Sequence, residues 1–487
     1  MPPLTPTSRE IVLLAVLLVL LLTFTTTLPQ NKRTITDLVR PYAAKEDDSS
    51  ASLGPATLES QYTLQSLNIP LRWGLGQVPE TKVVVHVPGW TIFDRLYMLN
   101  GTIYVVSDHP ETIPDRRRII STASFIYNGP AAEAQRIPTD KELRIVSTNE
   151  ARELFGEDAE RLDGVTWYAN DPKQFITHYF HWSAELFFGF WRTYSSLDPR
   201  IPPTGETSLP APRRMMFSHL DADNWRDYSE MNQWVLRSSF PSISMEFMND
   251  WKERVDMARP FVFDRVVFAD RAAAMYGDNF LRTQRTAANA FALPGSVNWW
   301  STIRNNVVSF AGLSQSGGAE SVQGVASTPV ITYISRQDWG RRMLIQEHHE
   351  RLVEELHNLR SLYGYEVNIV NMDQLSRIEQ FQLAGRTTIM MGVHGNGLTA
   401  LLWMRPTPKS TVMEFFYPEG FAHDYEYTTR ALGMIHYGFW NDKYFTRPDV
   451  PPVNYPEGFQ GNEIPIDGAM VARLCRERLT LSEEADD

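Results

Sequence analysis

The chain has 487 residues, 43% of them hydrophobic and 21% charged, the make-up of a globular protein long enough for two or three domains. Its net charge of -12, with no long basic block, excludes nucleic acid as an expected partner. The single cysteine, Cys475, excludes an intramolecular disulfide and a zinc–cysteine cluster, so the fold must rest on its apolar core.

Ile11 to Leu22 is an unbroken apolar run that continues without charge to Leu28, bracketed by Arg9 and Lys32. Such a run is long enough for one bilayer span, so 11–30 reads as a membrane helix after a short tail, 1–10. No Ala-x-Ala pattern follows closely, which favours a retained signal anchor over a removed signal peptide. Arg9 lies on one side and Lys32, Arg33 and Arg40 on the other, so charge bias leaves the orientation open. Residues 31–60 are polar, with Ser49, Ser50, Ser52 and Pro55, and read as a stem. Asn100-Gly101-Thr102 is the one N-glycosylation sequon, meaningful only if this part of the chain is luminal.

Strands are expected at Val83–Val87, Ile103–Val106, Leu143–Val146, Phe261–Phe263 and Val266–Phe268, with an aromatic-rich buried helix at Phe175–Arg192. Ser314 to Gly324 is rich in Gly and Ser and reads as a linker between a domain at 61–315 and one at 325–487. Beyond it the pattern is regular. Strands at Val330–Ile334, Glu366–Val370, Ile389–Met391 and Thr411–Phe415 alternate with helices at Arg341–Leu362, Leu375–Leu383 and Leu398–Met404. This alternation specifies an α/β fold with a parallel sheet, whose ligands sit at the carboxyl ends of the strands.

Gly392-Val393-His394-Gly395-Asn396-Gly397-Leu398 joins one such strand to a helix. The unpaired N–H groups at a helix start bind anions, Gly395 and Gly397 let a phosphate approach the backbone, and His394 adds a donor. The same glycines also suit a plain packing corner. Arg336 leaves the end of the strand Val330–Ile334, and Arg341 and Arg342 follow it. Their guanidinium forks suit a diphosphate, although a solvated first helical turn explains the last two as well. His181 and Glu185 share a helix face, so the carboxylate can orient the imidazole as a general base. A core histidine satisfied by Glu185 fits the spacing too, and His178 adds a metal-like pair that lacks a distant third ligand. Asp221 and Asp223 form an Asp-x-Asp after an apolar strand, able to hold a divalent cation against a diphosphate, though the arginines make a cation unnecessary.

Several segments together resemble glycosyltransferase family 61, in particular its fungal membrane-anchored members. They are Pro88–Asp94 with Leu99–Tyr104, the His178–Glu185 helix, Trp225–Tyr228 with Asn232-Gln233, Val267–Arg271, Tyr333–Gln337 and Gly392–Leu398. Relatives commonly carry a small residue where this chain has Asn396, whose amide then bonds the ligand or crowds it. The resemblance implies a GT-B architecture, two Rossmann-like domains facing a cleft. It implies inverting transfer of a sugar, such as xylose or N-acetylglucosamine, from a UDP-sugar to a glycan or glycoprotein acceptor. It also implies a Golgi or ER membrane protein of type II topology, with the catalytic domain luminal and Asn100 open to glycosylation. In that frame Arg336, Arg341, Arg342, His394, Gly395, Asn396 and Gly397 take the diphosphate, and Glu414 the ribose. His181 with Glu185 is the base, Asp94 and Asp227 are its alternatives, and no cofactor is required, although a divalent cation is compatible. A catalytically inactive binding protein and a metal-dependent transferase using Asp221 and Asp223 are the competing readings.

Overall fold

The computed structural model describes residues 70–313 and 328–481, all within one compact unit, Ser66–Asp487. The tail, anchor and stem read at 1–60 and the linker read at Ser314–Gly324 lie outside the described residues. Among the described residues no helix is long and apolar enough to cross a membrane.

Two sheets organise the chain. The first has nine strands: β1 (Leu71–Arg72), β2 (Lys82–Val87), β3 (Trp90–Leu99), β4 (Thr102–Val106), β5 (Leu143–Val146), β6 (Asp158–Ala169), β7 (Arg214–Phe217), β8 (Ser244–Glu246) and β9 (Phe261–Ala269). Its order is β5-β4-β3-β9-β6-β7-β8, with β2 on β3 and β1 on β6. β9, β6, β7 and β8 run parallel, but β3 is antiparallel to β2, β4 and β9. The Rossmann-like pattern expected here is therefore confined to one part of a mixed sheet. The β3–β4 hairpin turns through Asn100 and Gly101 with φ of 49° and 84°, the left-handed pair that an Asn-Gly turn supplies.

The second sheet has six strands: β10 (Val330–Ile334), β11 (Glu366–Val370), β12 (Ile389–Val393), β13 (Thr411–Phe415), β14 (Ile435–Trp440) and β15 (Lys443–Phe445). Its order is β11-β10-β12-β13-β14-β15, parallel except for the last pair. Every residue of β10, β12 and β13 is buried, because both faces are covered. Side chains alternate between two cores. Ile331, Met391 and Met413 meet Leu352, Leu356 and Leu359 of helix Gln346–Tyr363 and Val471 and Cys475 of helix Gly468–Leu479. Met390 and Val412 point the other way, into a core shared with Trp167, Trp182, Phe187 and Trp300 of the first sheet's half. Polar ties cross that core: Trp403 Nε1 donates to Tyr179 Oη at 2.9 Å, and Trp300 Nε1 to the Leu402 carbonyl at 2.8 Å.

Three expected helices differ in detail. The one expected from Arg341 begins at Gln346, leaving Arg341 and Arg342 in an irregular loop where Arg342 has φ of 54°. The segment after the glycine turn is a 3₁₀ helix, Asn396–Trp403. The aromatic helix runs over 179–195, and its stretch His181–Phe187 is wound as a π-helix, a form that recurs at functional sites.

Candidate active site

In the second sheet the chain leaves β10 toward β11 on one side, and leaves β12 toward β13 on the other. The carboxyl ends of these adjacent strands form a topological switch point, where α/β sheets open a ligand crevice. A cleft of about 360 Å³ lies there. Its floor is Ile334, Ser335, Arg336, Asn396 and Gly397, and residues from the first sheet's half, among them His178, Tyr228 and Ser229, form the facing wall.

Three arginines, Arg336, Arg341 and Arg342, line this cleft, and none makes an ion pair with a carboxylate of the described residues. Arg336 is half-buried and its Nε is shielded from water without a hydrogen-bond partner. Burial, then the neighbouring Arg342, pulls its pKa below the usual arginine value; the Tyr425 phenol opposes this and Arg341 adds to it. A guanidinium nevertheless stays charged. Arg342 is held by Gln460 Oε1 at 2.7 Å and by the His394 carbonyl at 3.3 Å. Uncompensated cations drawn together against their own repulsion make a site for an anion.

The glycine turn meets that cluster. A Cβ on Gly395 would stand 2.7 Å from Arg336 Nη1, and one on Gly397 2.9 Å from Ile334 Cγ2, so both glycines serve close approach. The N–H groups of Gly395, Asn396 and Gly397 donate to no acceptor among the described residues, and the first intra-turn bond comes from Leu398 N to Gly395 O at 3.0 Å. Asn396 spans the two halves. Its Oδ1 accepts the Phe180 N–H at 3.2 Å, and its Nδ2 donates to Ser229 Oγ at 3.3 Å.

Glu414 does not face the cleft. It is fully buried on β13 between two imidazoles, with His394 Nδ1 2.5 Å from Oε1 and His436 Nε2 2.8 Å from Oε2. The expectation that it takes a ribose is corrected: it positions His394. Burial, reinforced by Asp424 and Glu426, pushes Glu414 well above the usual carboxylate range, so it keeps a proton. Burial pushes His394 down to about 3 and His436 to about 4, so both rings are neutral. His436 Nδ1 is buried without a partner. Orphaned N–H groups are rarer than orphaned acceptors, which assigns the His436 proton to Nε2, donating to Glu414. The Glu414 O–H then donates to His394 Nδ1, leaving Nε2–H of His394 as a free donor.

His181 Nδ1 lies 2.6 Å from Glu185 Oε2. The His181 side chain is 27% exposed and does not line the cleft itself, but its backbone neighbour Phe180 is bound by Asn396 of the turn. Glu185 is buried and also takes Arg271 Nη1 at 2.6 Å, while Arg271 reaches Asp171 at 3.3 Å. Burial alone raises the Glu185 pKa, but Arg271, His181 and Arg285 together hold it well below the usual range. An ionised Glu185 accepts a hydrogen bond from His181 Nδ1–H, which leaves Nε2 out of this pair. Arg285 continues the chain to Asp424 at 2.8 Å, a carboxylate whose field acts on both His181 and His394. His178, inside the cleft, is pushed down to about 4 by burial and then by His181. Arg271 lies in the resembling segment Val267–Arg271 without a role assigned there, and Arg285, Asp424 and His436 carry no local sequence signal for these roles.

The other candidates stand apart. Asp94 forms a two-pronged ion pair with Arg265 across β3 and β9, at 2.6 and 2.8 Å. Asp227 is buried and accepts the N–H groups of Ser229, Met231 and Asn232 at 2.7–3.0 Å, which makes it a brace for the start of helix Asn232–Ser239. Asp221 and Asp223 are exposed and do not line the cleft, and the described residues hold no group of three or more potential metal ligands. Asn100 is exposed at its hairpin tip.

The family model described as Glycosyltransferase 61 matches residues 179–413. No curated protein matches the chain. The matched span runs from the first residues of the His181 helix to β13, and so contains the arginines, the glycine turn and the His181–Glu185 pair. Residues 179–413, about half of the chain, are a glycosyltransferase family 61 region.

Proposed function

We propose that this glycosyltransferase moves a sugar from a UDP-sugar to a hydroxyl of a glycan or protein with inversion. The reading rests on one observation: at the switch point, uncompensated arginines and unpaired turn N–H groups converge on one cleft. A leaving UDP gains charge on its diphosphate, and preorganised donors of this kind contribute about 100- to 1,000-fold each. His181 Nε2 takes the proton of the acceptor hydroxyl as its oxygen bonds to the anomeric carbon. The bond from that carbon to the β-phosphate oxygen breaks, and UDP leaves onto Arg336, His394 and the turn. We read the two sheets as the halves of a GT-B transferase, split near 315–325, with xylose or N-acetylglucosamine as the sugar. The apolar run at 11–30 is read as a type II anchor that holds the enzyme in the Golgi or ER membrane with its catalytic part luminal.

Three arginine charges can take the role of a cation, so this reading requires no divalent metal; activity that survives EDTA supports this, and loss in EDTA favours Asp221 and Asp223. UDP release from a panel of UDP-sugars, with and without acceptors, tests the whole reading. An inactive binding protein would bind UDP and release none from any donor.

A further inference from the structure

Glu414 is buried between histidines and does not line the cleft, but another carboxylate does. Asp373 is the only acidic residue among the described residues that line it. It lies in the 3₁₀ turn Met372–Gln374, directly beyond β11. β11 runs beside β10 with Val370 opposite Ile334, so this turn starts one strand spacing, about 4.8 Å, from the Arg336 loop. A diphosphate seated between β10 and β12 sends its ribose to one side or the other. Toward β13 the space beside His394 is taken by the rings of Phe416 and Tyr425, each 5.6 Å away. Toward β11 the cleft is lined by Asn371, Met372 and Asp373, with Arg377 and Gln380 of the next helix.

The turn is pinned before any ligand arrives. Asn371 Oδ1 accepts the Asp373 N–H at 3.1 Å, and Gln380 Nε2 donates to the carbonyls of Met372 and Leu375 at 3.0 and 3.1 Å. The Asp373 carboxylate makes no hydrogen bond or ion pair among the described residues, although four arginines share its cleft; the fourth, Arg377, pairs with Glu230 at 2.9 Å. A free carboxylate on a rigid turn suits the two adjacent hydroxyls of a ribose, the task an acidic residue performs after the second strand of dinucleotide-binding sheets.

We propose that Asp373 binds the ribose diol and makes the cleft selective for ribonucleoside diphosphates. This rests on the UDP-sugar reading above. The test is titration calorimetry on the purified full chain and its Asp373→Asn and Asp373→Ala variants, with UDP, 2′,3′-dideoxy-UDP and inorganic pyrophosphate. Both variants should bind UDP about 10- to 100-fold more weakly, as expected for lost hydrogen bonds to a charged group. Dideoxy-UDP should bind wild type and variants alike, and pyrophosphate should bind the variants at least as tightly as wild type. UDP binding that is unchanged or tighter in the variants overturns the proposal, because a carboxylate that merely repels the anion behaves that way. So does a parallel loss of UDP and pyrophosphate. If wild type binds pyrophosphate but not UDP, the Asp373 assignment fails while the anion site stands; if it binds neither, the nucleotide reading itself fails.

Discussion

The Arg336 guanidinium covers Gly395 so closely that a Cβ on the glycine would stand 2.7 Å from Nη1. The obstacle is the far end of a flexible side chain, so Gly395→Ala should fold normally and swing Arg336 away. Transfer should fall about 100- to 1,000-fold, the value of one preorganised donor, with the melting temperature nearly unchanged. Steady-state kinetics beside a thermal melt decide it; wild-type turnover would dissociate the glycine from the arginine's placement.

Arg336→Ala carries an opposite sign on the two axes. It removes a half-buried cation that has no ion-pair partner among the described residues and repels its neighbours. Activity should drop by the same factor while thermal stability holds or rises, the trade expected of a site built for its ligand. A large fall in melting temperature would show that Arg336 is structural.

Glu414→Gln should be tolerated within a few-fold in turnover. A protonated carboxyl and a carboxamide each offer one donor to His394 Nδ1 and one acceptor to His436 Nε2. Glu414→Ala orphans both rings and should cost about 1–3 kcal/mol of stability for each group left unsatisfied. Equal damage from Gln and Ala, measured by denaturant unfolding and activity, would mean that Glu414 works as an anion.

Glu185 links stability to pH with a definite sign. Its folded pKa is held below its unfolded value, so its contribution is present above the unfolded carboxylate range, near 4.3. That contribution is lost as pH falls below this range toward the folded value. Glu185→Gln leaves Arg271 buried without one of its counter-charges and should cost about 3–5 kcal/mol at pH 7. The gap between wild-type and variant melting temperatures should shrink as pH drops from 6 to 3. A gap that widens toward acid would reverse the assignment.

His181→Ala and Asp227→Ala should separate chemistry from bracing. The first should lower kcat about 100- to 10,000-fold with UDP affinity intact. The second removes the acceptor of three backbone N–H groups and should cost about 1–2 kcal/mol of stability, with the kcat of the folded fraction largely kept.

The middle of the second sheet was legible because β10, β12 and β13 are buried on both faces. Val330–Ile334 and Thr411–Phe415 stand out as short, mostly apolar runs between helical segments, Glu366–Val370 as an alternating one, and the observed bounds agree. The first sheet was harder to read. β6 opens with Asp158-Ala159-Glu160-Arg161, and its register shifts between Leu162 and Val165, so the strand lacks a continuous period. β3 runs through Arg95 although that residue has a left-handed φ of 56°. The His181–Glu185 bond was visible as a four-residue spacing even though the helix there is π-wound. Its arginines were not, because Arg271, which opens the helix Arg271–Ala274, and Arg285, before the 3₁₀ helix Thr286–Ala292, lie about 90 and 100 residues away in the sequence. Glu414 was misread because a carboxylate at a strand end looks the same in sequence whether it faces a ligand or two histidines.

The central claim is that the arginine cluster and the glycine turn bind the diphosphate of a uridine nucleotide. Titration calorimetry of UDP against the purified full chain and its Arg336→Ala variant tests it most directly. The account predicts saturable binding to wild type and at least about 10-fold weaker binding to the variant, the loss of a charge-assisted hydrogen bond. Absence of UDP binding to wild type, or equal binding by the two proteins, would contradict it.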